Sequence, residues 1–149
     1  MTPQQQTGAQ AQIRAMLDDW CAALAQRDVD RVFTHYTDDL VAFDVIGPLS
    51  FDSLADYRRH WDACMQMCPG DTIFDIRDLT LHVLDDHAWG HYLVRCGARQ
   101  ADGSEQTGQM RVSLVVRRTA EGWKICHEHY SMPMDPAQCG ANDASPAAR

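Results

Sequence analysis

The stretch Trp123-Lys124-Ile125-Cys126-His127-Glu128-His129-Tyr130-Ser131-Met132-Pro133 begins apolar and turns polar. Read as a strand with period two, it places Trp123, Ile125, His127, His129 and Ser131 on one face. Lys124, Cys126, Glu128 and Tyr130 fall on the other. A face that carries Trp and Ile and then two imidazoles and a hydroxyl runs from packed interior into a polar space. A cavity wall or a subunit interface would provide such a space. His127 and His129 are therefore candidates for proton transfer, since neutral imidazole donates at one nitrogen and accepts at the other. The same property suits them to a satisfied structural network, and the sequence leaves both readings open.

Around this stretch, 149 residues suffice for one domain with a real core, and 45% hydrophobic against 23% charged residues marks a globular chain. Thirteen basic against 21 acidic residues give a net charge of −8, which argues against a nucleic-acid or anionic-membrane partner. No run approaches the roughly 18–20 apolar residues of a membrane span. The start, Met1-Thr2-Pro3-Gln4, lacks the basic region and apolar core of a secretion signal, so the expectation is a cytoplasmic protein with reduced thiols. Six cysteines contain no C-x-x-C pair and sit in apolar runs, where they pack as small hydrophobes.

Helices come first. Ile13, Met16, Leu17, Trp20, Cys21 and Leu24 recur at helical spacing. Asp28 caps a short second helix with Val29, Val32, Phe33 and Tyr36 inward, and Leu40 to Ile46 is a strand that stops at Gly47-Pro48. Asp52 or Ser53 caps a third helix carrying Leu54, Tyr57, Trp61, Cys64, Met65 and Cys68. Strands are predicted at about 71–84, 87–99, 106–118 and 122–131, joined by short turns into an antiparallel meander. The fold class is α+β: three N-terminal helices packed on a curved, mainly antiparallel sheet, forming a cone with a central pocket. Residues 1–9 and 134–149, rich in Gln, Ala, Pro and Ser, are expected to be disordered tails around a domain at 10–133.

This order resembles the ketosteroid isomerase and nuclear-transport-factor-2-like superfamily. Two motifs carry the likeness. Asp19-Trp20-Cys21-Ala22-Ala23-Leu24, Arg27-Asp28-Val29-Asp30, Tyr36-Thr37-Asp38-Asp39 and Phe43-Asp44-Val45-Ile46-Gly47 are similar to the isomerase pattern Y-V-A-A-L…G-D-L-D…F-A-D-D…E-D-P-V-G. Arg111-Val112-Ser113, then Trp123 and His127-Glu128-His129-Tyr130-Ser131, is similar to the SnoaL-like branch and to the kinase association domain that ends W-x-x-x-H-x-H-x-S. The scaffold hosts enzymes, binding modules and oligomerisation hubs alike.

The resemblance implies a general-base role for Asp44, whose apolar neighbours suit proton abstraction next to a carbonyl. The isomerases hold the developing oxyanion with a tyrosine and a protonated carboxylic acid. The tyrosine position falls on Trp20, and the acid's falls near Ser113 or Leu114, where no carboxyl stands. With Asp44, His127 and His129 as catalytic candidates, Trp20, Tyr36, Trp61, Trp89, His91 and Arg111 are expected to contact substrate. Each has a plainer alternative: a cap on the Gly47 turn for Asp44, core packing for the tryptophans, an interface or edge for Arg111. His91 could join His127 and His129 around zinc only if their strands adjoin, and neither a metal nor a cofactor is expected. His35, His60, His82 and His87 read as surface or boundary residues. The expected function is a cofactor-independent isomerase or cyclase acting on a small hydrophobic carbonyl compound. The alternative is a noncatalytic ligand-binding or oligomerisation module. A homodimer is expected through the outer sheet face, carried by Val112, Leu114, Val116 and Tyr130 or their neighbours of opposite parity.

Overall fold

The structure, a computed structural model, describes residues 1–135. Helix α1 (Pro3–Ala25) is followed by α2 (Val29–Phe33), strand β1 (Tyr36–Phe43), helix α3 (Leu54–Met67) and strands β2 (Asp71–Val83), β3 (His87–Arg99), β4 (Glu105–Thr119) and β5 (Gly122–Ser131). The sheet order is β1-β5-β4-β3-β2, with β1 parallel to β5 and the remaining pairs antiparallel. The helices cover one face. Ile13, Leu17, Trp20 and Leu24 of α1 pack there with Val112, Leu114, Val116 and Ile125 from the sheet.

Local signals account for the helix ends. Thr2 and Gln5 form a reciprocal capping box around Pro3, which occupies the first helical position. Residues 3–9, expected as tail, are thus the opening turns of α1. Its other end closes with Arg27 N–H on Leu24 O and Asp28 N–H on Ala23 O, leaving Arg27 in the left-handed region at φ 57°. Asp28 then caps α2 and Ser53 caps α3. The expected tail at 134–149 lies outside the described residues beyond Asp135.

Two bulges decide which side chains face the core. Val115 lies opposite His127 but Val116 lies opposite Ile125, so Cys126 is an extra residue on β5. Trp123 and Ile125 point inward before the bulge. After it the inward residues are Glu128 and Tyr130, both buried, while His129 is exposed. The single-face reading of Trp123, Ile125, His127 and His129 therefore fails at Cys126, because one inserted residue reverses the parity of everything that follows. On β2, Arg77 pairs with Leu93 and Thr80 with His91, so a residue is inserted at the left-handed Asp78, φ 54°.

Candidate active site

Asp44 sits one residue past β1, not within it, and its side chain is 15% exposed. Its Oδ1 accepts from Ile46 N–H at 3.2 Å and its Oδ2 from the Tyr57 hydroxyl at 3.2 Å. The His60 ring stands 3.7 Å away, beyond hydrogen-bond reach, with its side chain only 14% exposed, so His60 belongs to this site and not to the surface.

Behind Asp44 lies a carboxylate that parity reading put on the wrong face. Glu128 is 1% exposed and accepts from Tyr57 Oη at 2.6 Å and from Tyr36 Oη at 3.0 Å. Trp20 Nε1 donates to Tyr36 Oη at 3.2 Å, so Trp20 buttresses the cluster. All four tyrosines of the chain, Tyr36, Tyr57, Tyr92 and Tyr130, are buried around this one acid. Burial raises Glu128 to about 7, opposed by the hydrogen bonds from Tyr57 and Tyr36 and reinforced by the negative charge of Asp44. Burial, and next the Glu128 charge, push the hydroxyls of Tyr36, Tyr57 and Tyr130 well above the ordinary range, so they remain donors. Glu128 lies directly across from Leu114. A carboxyl therefore does stand at the place where β4 has none, supplied by the neighbouring strand.

Asp44 opens onto a cavity of about 590 Å³ whose wall includes Leu24, Trp61, Met65, Phe74, Met110 and Tyr130. Among the described residues, Arg27 and Asp44 are the only charged ones on that wall. Two of its residues hold buried donors without a hydrogen-bond partner, Trp61 Nε1 and Tyr130 Oη. The Tyr130 hydroxyl is close enough to Glu128 to favour the ionised acid, yet no acceptor meets it at hydrogen-bonding geometry. A buried donor left unmet costs about 1–3 kcal/mol, so a ligand acceptor reaching either group would recover that cost. Cys64 and Cys96 also line the cavity, their thiols raised first by burial and then by the charge of Asp44.

Of the expected site residues, Asp44 and Trp61 reach the cavity, and Trp20 and Tyr36 support it from behind. The others lie on the opposite face. His127 Nδ1–H donates to Val41 O at 2.8 Å and its ring packs on Phe43 at 5.1 Å, and His129 meets the same ring at 5.5 Å. Trp89 is stacked on His82 at 4.2 Å, and His91 and Arg111 are exposed. His91 is two strands from His127, and no metal-holding cluster of His, Cys, Asp or Glu exists among the described residues. Val112, Leu114, Val116 and Tyr130 are core, so the outer face is made by the opposite parity instead, exposing Trp89, Leu93, Val41 and Phe43.

The chain belongs to a known family: the SnoaL-like domain matches residues 13–135. It is similar to an NTF2-like protein of unknown function from Pseudomonas putida KT2440, at 38% identity and TM-score 0.81. That likeness covers 94% of this chain and 98% of the other. A protein provisionally named a dehydratase of the NTF2-like family, from Streptomyces avermitilis, is 16% identical with TM-score 0.74, over 87% and 99% of the two chains. The association domain of CaMKII from C. elegans is 15% identical with TM-score 0.69, over 86% and 98%. At such identities the last two show the fold alone. No curated protein matches the chain. None of the described helices is long and apolar enough to cross a membrane.

Proposed function

We propose that the protein is a cofactor-independent enzyme that moves a proton next to the carbonyl of a small apolar compound, as an isomerase, cyclase or dehydratase does. The observation that carries this reading is Asp44: a carboxylate on the wall of an apolar cavity, held by Tyr57, which also bonds the buried Glu128. Asp44 is the base. Tyr57 and the Ile46 N–H fix its two oxygens, which leaves lone pairs free for the substrate C–H. On this reading the developing enolate oxygen is met by Trp61 Nε1–H or Tyr130 Oη–H, the partnerless buried donors of two residues on the cavity wall, because donors matter more there than for the neutral ketone. Two hydroxyl-bonded acids 3.2 Å and 2.6 Å from the same Tyr57 oxygen cannot both take its proton, so Tyr57 couples the charge of Asp44 to the protonation of Glu128. His127 and His129, remote from the cavity, have no part in the chemistry.

The exposed Trp89, Leu93, Val41 and Phe43 support a second role on the outer face, pairing two chains into a cytoplasmic homodimer. Assembly is the role named for the similar kinase association domain, and here it accompanies the enzyme reading. To test the cavity, tryptophan fluorescence is followed while 2-acetylnaphthalene is added. Wild type and Asp44→Asn bind alike, and Cys96→Trp, which fills the cavity, does not bind. A wild type that holds no apolar ketone refutes the proposal.

A further inference from the structure

The second charge on the cavity wall belongs to a residue that the proton-transfer chemistry leaves unused. Arg27 sits between α1 and α2 and reaches across to the end of α3. Its Nη1 donates to Cys68 O at 3.1 Å and Gly70 O at 3.0 Å, and its Nη2 donates to Met65 O. A guanidinium carries five N–H donors, so these three bonds leave two unused, the Nε–H among them. No salt bridge to Arg27 forms among the described residues, although 13 other ion pairs do. The cation is thus anchored by neutral carbonyls and offers its remaining donors at the edge of an apolar space.

Asp44 and Arg27 occupy separated parts of that space. Asp44 lies against His60 and Arg27 against Met65 and Cys68, five to eight residues further along α3. At 1.5 Å per residue the separation along the helix is about 8–12 Å. The wall they share includes Trp61, Cys64, Met65, Phe74, Cys96 and Met110 and carries no other charge among the described residues.

Building on the enzyme reading above, we infer that the substrate is an apolar carboxylic acid, bound with its carboxylate on Arg27 and its reactive carbonyl about 8–12 Å away at Asp44. Guanidinium and carboxylate match in geometry, and a contact shielded by apolar walls is stronger than one in water. The charge on Asp44 repels the ligand anion, so the two ends of the cavity admit only one orientation. That orientation delivers the neutral carbonyl end to the base. The anchor is made in ground state and transition state alike, so it acts on binding and registration, not on the proton transfer itself.

The test uses 6-acetyl-2-naphthoic acid and its methyl ester, which share one aromatic body and one enolisable ketone and differ in the anion. Titration calorimetry or tryptophan quenching should give at least about tenfold tighter binding of the acid to the wild type, the scale of a charge-assisted contact. Arg27→Gln should bring the acid down to the ester while leaving the ester unchanged. Arg27→Lys, which retains a charge and a donor for the α3 carbonyls, should keep a reduced preference. Asp44→Asn, which removes the repulsion of the anion, should prefer the acid at least as strongly as the wild type. Equal binding of acid and ester by the wild type, or an undiminished preference in Arg27→Gln or Arg27→Lys, overturns the assignment. Ester bound without acid preference sinks only the anion site, whereas neither probe bound sinks the cavity reading with it.

Discussion

Replacing Glu128 by Gln removes a buried acid whose proton affinity differs between the folded and unfolded chain. Burial holds Glu128 at about 7 in the fold against 4.5 for the free group. Below 4.5 the acid is protonated in both states and costs nothing. Between 4.5 and 7 the unfolded chain ionises while the folded one stays neutral, so stability falls as pH rises. Above 7 both are ionised and the loss is complete. A rise of this size corresponds to on the order of 3 kcal/mol. For a chain of 149 residues that is roughly 6–12 °C in melting temperature. Glu128→Gln keeps the shape and an acceptor for Tyr57 and Tyr36 but has no proton to exchange. Any packing cost of the amide is the same at every pH, so it cancels from the comparison. Thermal or urea unfolding from pH 5 to 8 should therefore show the variant gaining on the wild type by about 3 kcal/mol across the range. Parallel curves, or a wild type that gains on the variant as pH rises, would refute the buried-acid reasoning.

Tyr57→Phe deletes the donor shared by Glu128 and Asp44 and should cost about 1–3 kcal/mol at pH 8, and less at pH 5 where Glu128 is neutral; a loss that does not depend on pH contradicts the bridge. His127→Ala should lose about 1 kcal/mol with its bond to Val41 O, while exposed His129→Ala stays within about 0.5 kcal/mol by denaturant unfolding; large losses at both would restore them to a buried network. Light scattering on a sizing column should give twice the 16.8 kDa chain mass for the wild type and a monomer for Trp89→Glu/Leu93→Glu; a wild-type monomer would remove the outer-face dimer.

The fold was legible because its periodicities are local. Helical spacing in α1 and α3, the caps at Asp28 and Ser53, and the turns between β2 and β5 can each be read within a dozen residues. The start of α1 carries a local signal in Thr2-Pro3-Gln4-Gln5, a capping box, which the expectation of a tail from the Gln- and Ala-rich composition does not take in. The site was only half legible. Asp44 and Trp61 are near in sequence to the turns and helix that aim them. Glu128 is not, because its inward orientation depends on one inserted residue, Cys126, opposite β4. A bulge carries no sequence mark when the inserted residue is a cysteine among alternating polar and apolar neighbours. The same inversion sends His127 and His129 to the outer face. The role of Arg27 is not legible in the sequence, because it depends on carbonyls at and just beyond the end of α3, some forty residues away.

Asp44 as the base is the claim on which the rest depends, and solvent exchange tests it most directly. The protein is incubated with 6-acetyl-2-naphthoic acid in D2O, and deuterium entering the acetyl methyl is read by NMR. Wild type should exchange these protons well above the buffer rate, and Asp44→Asn should lose about 100- to 10,000-fold of that acceleration while still binding the acid. Exchange at the buffer rate in the wild type, or undiminished exchange in Asp44→Asn, would contradict the account.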